Sequence, residues 1–183
     1  MNITIRKGSS ADTERLLRLL HKVKDGMENQ DWFFLDPDEE IRELMESGIM
    51  QLWLAEDGER LAAVFDYIIP GLDSYNYGYD LGFSENDLLR VVQMDTAAVD
   101  PDYRGLKLQK TLMQRSEQEI RKMPGRILLS TIHPDNHYSL NNLLAQDYSI
   151  AKRIAKYGSV RYVLRKDLPC LTARDIMCYI VVI

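Results

Sequence analysis

The run Val99-Asp100-Pro101-Asp102-Tyr103-Arg104-Gly105-Leu106-Lys107-Leu108-Gln109-Lys110 decides the fold. Before it, residues 88–99 read as an apolar strand, which Asp100-Pro101 stops because proline has no N–H for a ladder. After it, Leu108, Leu112, Ile120 and Met123 recur at helical spacing as far as Pro124-Gly125, so a strand turns sharply and opens directly into a long helix. The first amides of such a helix have no partner within it, and the aligned peptide dipoles leave partial positive charge there. That end suits an anion such as a diphosphate, with Arg104, Lys107 and Lys110 adding charge from the sides.

Working outward, Ile3-Thr4-Ile5-Arg6 predicts a short strand. Ser9 or Ser10 offers a cap to a helix carrying Leu16, Leu20, Val23 and Met27. Asp36 as cap, Pro37 in the first turn and Glu39 three residues on predict a second helix with Ile41, Leu44 and Met45 on its buried side. Residues 51–56 and 61–69 read as strands joined by Asp57-Gly58. Residues 70–87 form a long glycine- and tyrosine-rich connection. Residues 126–132 form an apolar strand, a short helix carries Leu140, Leu143 and Leu144, and residues 150–165 close the chain as a hairpin turning at Gly158-Ser159. The expected class is α/β (α+β), a mixed sheet with helices on its faces.

At 183 residues, 45% hydrophobic and 28% charged, the chain fits one folded domain. Its 23 basic against 28 acidic residues give a net charge of -5, which disfavours nucleic acid as a partner. No run approaches the ~18 apolar residues of a membrane span and no apolar leader opens the chain, so the expected location is the cytoplasm, with no membrane partner. Cys170 and Cys178 lack metal-like spacing. His133 and His137 are interrupted by Pro134, so no metal is expected.

The central run resembles the signature of the GNAT superfamily of acyl-CoA-dependent N-acetyltransferases: a strand ending Ala-Val, an x-Pro-x-Tyr-Arg-Gly turn, then a helix start of the form Arg/Gln-x-x-Gly-x-Gly/Ala. Ala98-Val99, Pro101, Tyr103, Arg104 and Gly105 match in place, and the element order agrees over residues 1–168. The resemblance implies a mostly antiparallel sheet with one splayed strand pair, acetyl-CoA or another acyl-CoA as co-substrate, and a small-molecule or peptide amine as acceptor. Ala97, Ala98 and Val99 would pair with the pantetheine arm. Arg104, Gly105, Leu106, Lys107, Leu108, Gln109 and Lys110 would hold the diphosphate, and Asn136 with Ser139 would touch the arm or the phosphates. Three positions depart from the pattern. Lys107 and Gln109 stand where small residues are usual, and Leu143 stands where many members carry a tyrosine acid.

Asp95 is the carboxylate of the strand before the turn and the candidate base, since an amine must be neutral to attack a thioester. A structural role, capping a bulge or pairing with a basic side chain, is an equal reading of it. Asn136 and Ser139 also suit simple helix caps. Tyr75, Tyr77 and Tyr79, among Asp73, Asp80, Glu85 and Asp87, are candidates for an acceptor pocket favouring a cationic amine, against a surface loop packing its own aromatics. Residues 169–183 form an apolar tail, expected to add a strand or dock on a second copy in a homodimer. A non-catalytic acyl-CoA-binding module and a cofactor-free interaction domain are the rival functions.

Overall fold

A computed structural model describes residues 2–123 and 125–169. The apolar tail from residue 170 onward, with both cysteines, lies outside the described residues, so the strand or subunit contact expected there is not part of the fold below. In chain order the elements are β1 (Ile3–Lys7), α1 (Thr13–Asp25), α2 (Asp38–Glu46), β2 (Met50–Asp57), β3 (Arg60–Ile68), α3 (Glu85–Leu88), β4 (Val91–Val99), α4 (Leu108–Ile120), β5 (Ile127–Ile132), α5 (His137–Leu144), β6 (Ser149–Lys156) and β7 (Ser159–Asp167). This is the expected order with one addition, the single-turn α3. Its Leu88 is helical, so the following strand begins at Val91 rather than at 88.

The strands form one sheet in the order β1-β2-β3-β4-β5-β7-β6. All neighbours are antiparallel except β4 and β5. Side chains alternate across a strand, so β3 serves two cores. Ala63, Phe65 and Tyr67 pack with Leu112, Met113 and Ile120 of α4 and Leu143 of α5. Val64 and Ile68 pack with Leu16, Leu20 and Val23 of α1 and Ile41 and Met45 of α2 on the other face. Helices therefore cover both faces, as expected. Leu112 is fully buried between α4 and the sheet, where truncation to alanine typically costs about 2–5 kcal/mol.

Three boundaries differ from the expectation. Asp36 does not cap α2. The cap position is Pro37, in extended backbone, and the helix starts at Asp38. The β6–β7 turn is Tyr157-Gly158, with φ of 57° and 73°, the paired positive angles a two-residue hairpin demands. The long helix does not open directly after Tyr103. A single 3-10 turn at Pro101–Tyr103 and a loop intervene, and α4 starts at Leu108.

β4 and β5 pair only where Val91, Val92 and Gln93 face Ile127, Leu128 and Leu129. Beyond that they part, because β4 bends at an irregularity opposite Asp66 of β3. β5 continues instead along β7.

Candidate active site

The register of β4 decides which of its backbone groups face the split. The Asp100 N–H donates to Ala62 O at 2.9 Å, and the Thr96 N–H donates to the Asp66 carboxylate at 3.3 Å. Backbone groups alternate sides along a strand, so Ala98 also turns toward β3, where it sits opposite Val64. Ala97 and Val99 therefore direct their N–H and C=O groups into the split. Of the three residues expected to line it, Ala98 does so by position rather than by free backbone.

At the end of β4 the chain makes a tight turn. Gly105 takes φ of 83° and Lys107 takes 58°, and an added Cβ at Gly105 meets nothing within 4 Å. Among the described residues the amides of Gly105 through Lys110 donate to no backbone or side-chain acceptor; the first bonded amide is Thr111, to Lys107 O at 3.0 Å. Arg104, Gly105, Leu106 and Lys107 are exposed, Gln109 and Lys110 partly so, and Leu108 is buried as an anchor. The loop thus presents a run of unpaired donors longer than a helix end alone supplies. Lys107 occupies a backbone region that costs a non-glycine residue roughly 1–2 kcal/mol, the physical counterpart of a glycine being usual there.

A second feature sits where the two strands part. A cavity of about 60 Å3 is walled by Asp95 and Thr96 of β4 and by Thr131 of β5. Tyr77 from the 70–87 connection joins them. Across from these lie Asp36 with Trp32, Phe33 and Phe34 from the α1–α2 connection, and Tyr157 and Arg161 from the β6–β7 hairpin. The Tyr77 hydroxyl donates to Asp95 Oδ1 at 3.0 Å and meets the Tyr157 hydroxyl at 2.9 Å. Tyr157 stacks on Phe34 with ring centres 4.1 Å apart. Asp66, 1% exposed, lies behind Asp95 on the neighbouring strand.

Burial, with the Asp36 charge added, pushes the Asp95 carboxyl up to about 6, against the hydrogen bonds from Tyr77 and Thr96, which favour its charge. Burial and then the Asp95 charge hold the Asp66 carboxyl well above the usual carboxylate range. Burial also raises Asp36, helped by Glu40, and pushes the Tyr157 hydroxyl up to about 12. Carboxylates displaced toward neutrality in a small cavity are suited to moving a proton near pH 7.

The expected residues fare differently. Asp95 and Tyr77 stand together in the cavity. Tyr75 and Tyr79 do not wall it: Tyr79 bonds Leu72 O at 2.9 Å within its own loop, and both are over a third exposed. The Asn136 side chain accepts the Ser139 N–H at 3.2 Å, which is the plain cap of α5, leaving its amide donors without a protein acceptor among the described residues. Leu143 is buried in the core and offers no acid. His133 accepts the Asp135 N–H at 3.2 Å in a turn, and among the described residues no three metal-ligating side chains converge.

Sequence reasoning missed Asp36, Asp66, Tyr157, Arg161 and Trp32. Asp66 had a signal: it is the lone charge in the apolar run Ala62-Ala63-Val64-Phe65-Asp66-Tyr67-Ile68-Ile69. The others arrive from distant parts of the chain, Arg161 on β7, and carried none.

The split pair, the antiparallel remainder and the helices on both faces define the fold of the GNAT acetyltransferases. Solved structures of that fold superpose over nearly the whole chain. A GNAT-family acetyltransferase from Streptococcus pneumoniae aligns at TM-score 0.66 and 14% identity, covering 91% of this chain and 99% of that one. A putative acetyltransferase from Salmonella typhimurium, solved with acetyl-CoA, aligns at 0.67 and 15%, covering 94% and 98%. The ribosomal-protein-S18-alanine N-acetyltransferase of Escherichia coli aligns at 0.71 and 12%, covering 94% and 97%. No protein-family model matches the sequence, and no curated protein sequence matches it. Among the described residues no helix is long and apolar enough to cross a membrane.

Proposed function

We propose that this chain is a GNAT-superfamily N-acyltransferase that moves an acetyl or other small acyl group from acyl-CoA to an amine. The observation that carries the reading is the continuity of the split. Unpaired amides from Gly105 to Lys110 follow the free backbone of Ala97 and Val99, and Asp95 lies four residues before Val99, roughly 13 Å along the strand. Residues 1–168 would form the catalytic domain, acting in the cytoplasm on a small-molecule or peptide amine.

In this reading the pantetheine arm pairs with Ala97 and Val99 as a missing strand would. The diphosphate takes the amides of the turn, flanked by Arg104, Lys107 and Lys110. Asp95, ionised above about pH 6, removes a proton from the incoming ammonium, directly or through water. The freed lone pair attacks the thioester carbonyl carbon, and an N–H of β4 facing the split stabilises the oxyanion that forms. Collapse breaks the C–S bond; the departing sulfur takes up, through solvent, the second proton shed by the nitrogen, giving an N-acyl product and free CoA. A thiol with pKa near ~8.5 is a good enough leaving group to need no dedicated acid, consistent with Leu143.

The same leucine favours a second reading, a non-catalytic acyl-CoA-binding module. Two measurements separate these from a cofactor-free interaction domain. Acetyl-CoA raises the melting temperature under either cofactor reading, because it binds only the folded state; no shift sinks both. Steady release of CoA with an amine panel supports transfer, and a melting shift without release supports the binding module.

A further inference from the structure

Arg161 of β7 is 3% exposed, yet among the described residues no carboxylate closes an ion pair with it. Its terminal nitrogens donate to Asp31 O at 2.6 Å and Trp32 O at 3.3 Å, and among the described residues its Nε has no acceptor. Trp32 Nε1 is likewise buried without an acceptor among the described residues. A buried guanidinium held only by backbone carbonyls and a buried N–H without an acceptor are both unfavourable, and the two on one cavity point to something that binds there.

Both side chains wall the cavity that holds Asp36 and Asp95. The Arg161 guanidinium lies 5.9 Å from the centre of the Tyr157 ring, and the Tyr157 hydroxyl leads through Tyr77 to Asp95. Arg161 and Asp95 are thus linked through two tyrosines, and the cavity has a cationic, donor-rich wall as well as an anionic one. An amine alone satisfies only the second wall.

We infer that the acceptor is a free amino acid, its carboxylate taken by Arg161 and Trp32 Nε1 while its amine lies at Asp36 and Asp95. The inference rests on the acyl-transfer reading of the cavity and narrows it from amines in general to amines that carry a free carboxylate. Tyr157 is the spacer between the two binding ends.

The test is calorimetric titration of the full chain, without acyl donor, with common α-amino acids, each beside its decarboxylated amine and its methyl ester. The expected result is at least one free acid binding about tenfold or more tighter than both of its analogues, the usual worth of a charge-assisted hydrogen bond. Trp32→Phe keeps the ring and removes the donor. It should weaken that acid by about threefold to tenfold and weaken the amine less. Equal or tighter binding of the ester or the amine overturns the inference, as does the absence of binding by any amino acid. Arg161→Gln is the larger lesion, but it unties the turn at Gln30–Trp32, so Trp32→Phe carries the comparison. The titration needs no thioester, so a failure of CoA release with every acceptor would sink acyl transfer while leaving this result to stand or fall separately.

Discussion

The Tyr77 hydroxyl donates a 3.0 Å hydrogen bond to Oδ1 of Asp95, across a gap of 18 residues in sequence. The bond favours the ionised carboxylate, while burial and Asp36 oppose it more strongly, and the balance leaves Asp95 at about 6. A carboxylate so placed is ionised at pH 7 yet basic enough to accept a proton, unlike a solvent-exposed aspartate.

Asp95→Asn is therefore expected to lower kcat/KM for acyl transfer by about 10²–10⁴-fold, the range typical of a general base. In the native chain the rate should rise with pH and level off above about 6, as Asp95 loses its proton. The variant should lose that inflection. Rates of CoA release between pH 5 and 8 provide the check, and an unchanged profile would remove Asp95 from the chemistry.

The buried carboxyl of Asp66 should reveal itself in stability. Its folded pKa is raised by burial and by Asp95, so the native state keeps a proton that the unfolded chain releases. Stability from this group is full below the unfolded value near 3.8 and declines as pH climbs toward the folded value. Asp66→Asn keeps an acceptor for the Thr96 amide and cannot ionise. The variant should match the parent in urea midpoint near pH 4 and exceed it near pH 7.

Lys107 holds φ of 58° at the entrance to α4. Lys107→Gly should relieve backbone strain and stabilise the protein by about 1 kcal/mol, or roughly 2–4 °C in Tm. The same change removes one of the cations proposed to flank the diphosphate, so the KM for acetyl-CoA should rise. Calorimetric melting and steady-state kinetics test the two parts separately.

Arg6 ties three elements together. It bonds Asp12 at 2.7 Å and Glu56 at 2.8 Å, joining β1 to the start of α1 and to β2. Its hydrogen bonds, with those from Ser9, hold the Asp12 carboxyl down to about 2. Stability from that depression is present above the unfolded value near 3.8 and is lost as pH falls toward 2. Arg6→Ala should cost about 1 kcal/mol at pH 7, because Arg6 is 41% exposed and Arg15 still faces both carboxylates, and progressively less on acidification, measured by urea unfolding at each pH.

Much of the fold was legible in the sequence, because local rules sufficed for it. The apolar runs of β2 and β3, the glycine after Asp57, the 3.6-residue stripes of α1 and α4, and the proline after Asp100 each express short-range sterics or burial that no distant residue overrides. Where a boundary shifted, tertiary contact had won. Asp36 has the chemistry of a helix cap, but it walls the cavity instead, and α2 starts two residues later without a side-chain cap. The turn after β4 was legible in composition but not in conformation, since a left-handed lysine violates the local preference that reading relied on.

By itself the sequence determined the order of elements, the two-sided helical cover of the sheet, the anion-favouring turn and the candidacy of Asp95. Each follows from residues within a few positions of one another. Only the tertiary structure decided which tyrosine reaches that carboxylate, that Tyr157 and Arg161 arrive from a hairpin more than 60 residues downstream, and that Asp66 stands behind it. A pKa, a cavity wall and the partners of a buried cation are properties of groups brought together through space, and the energy of that meeting is written in no single stretch of the chain.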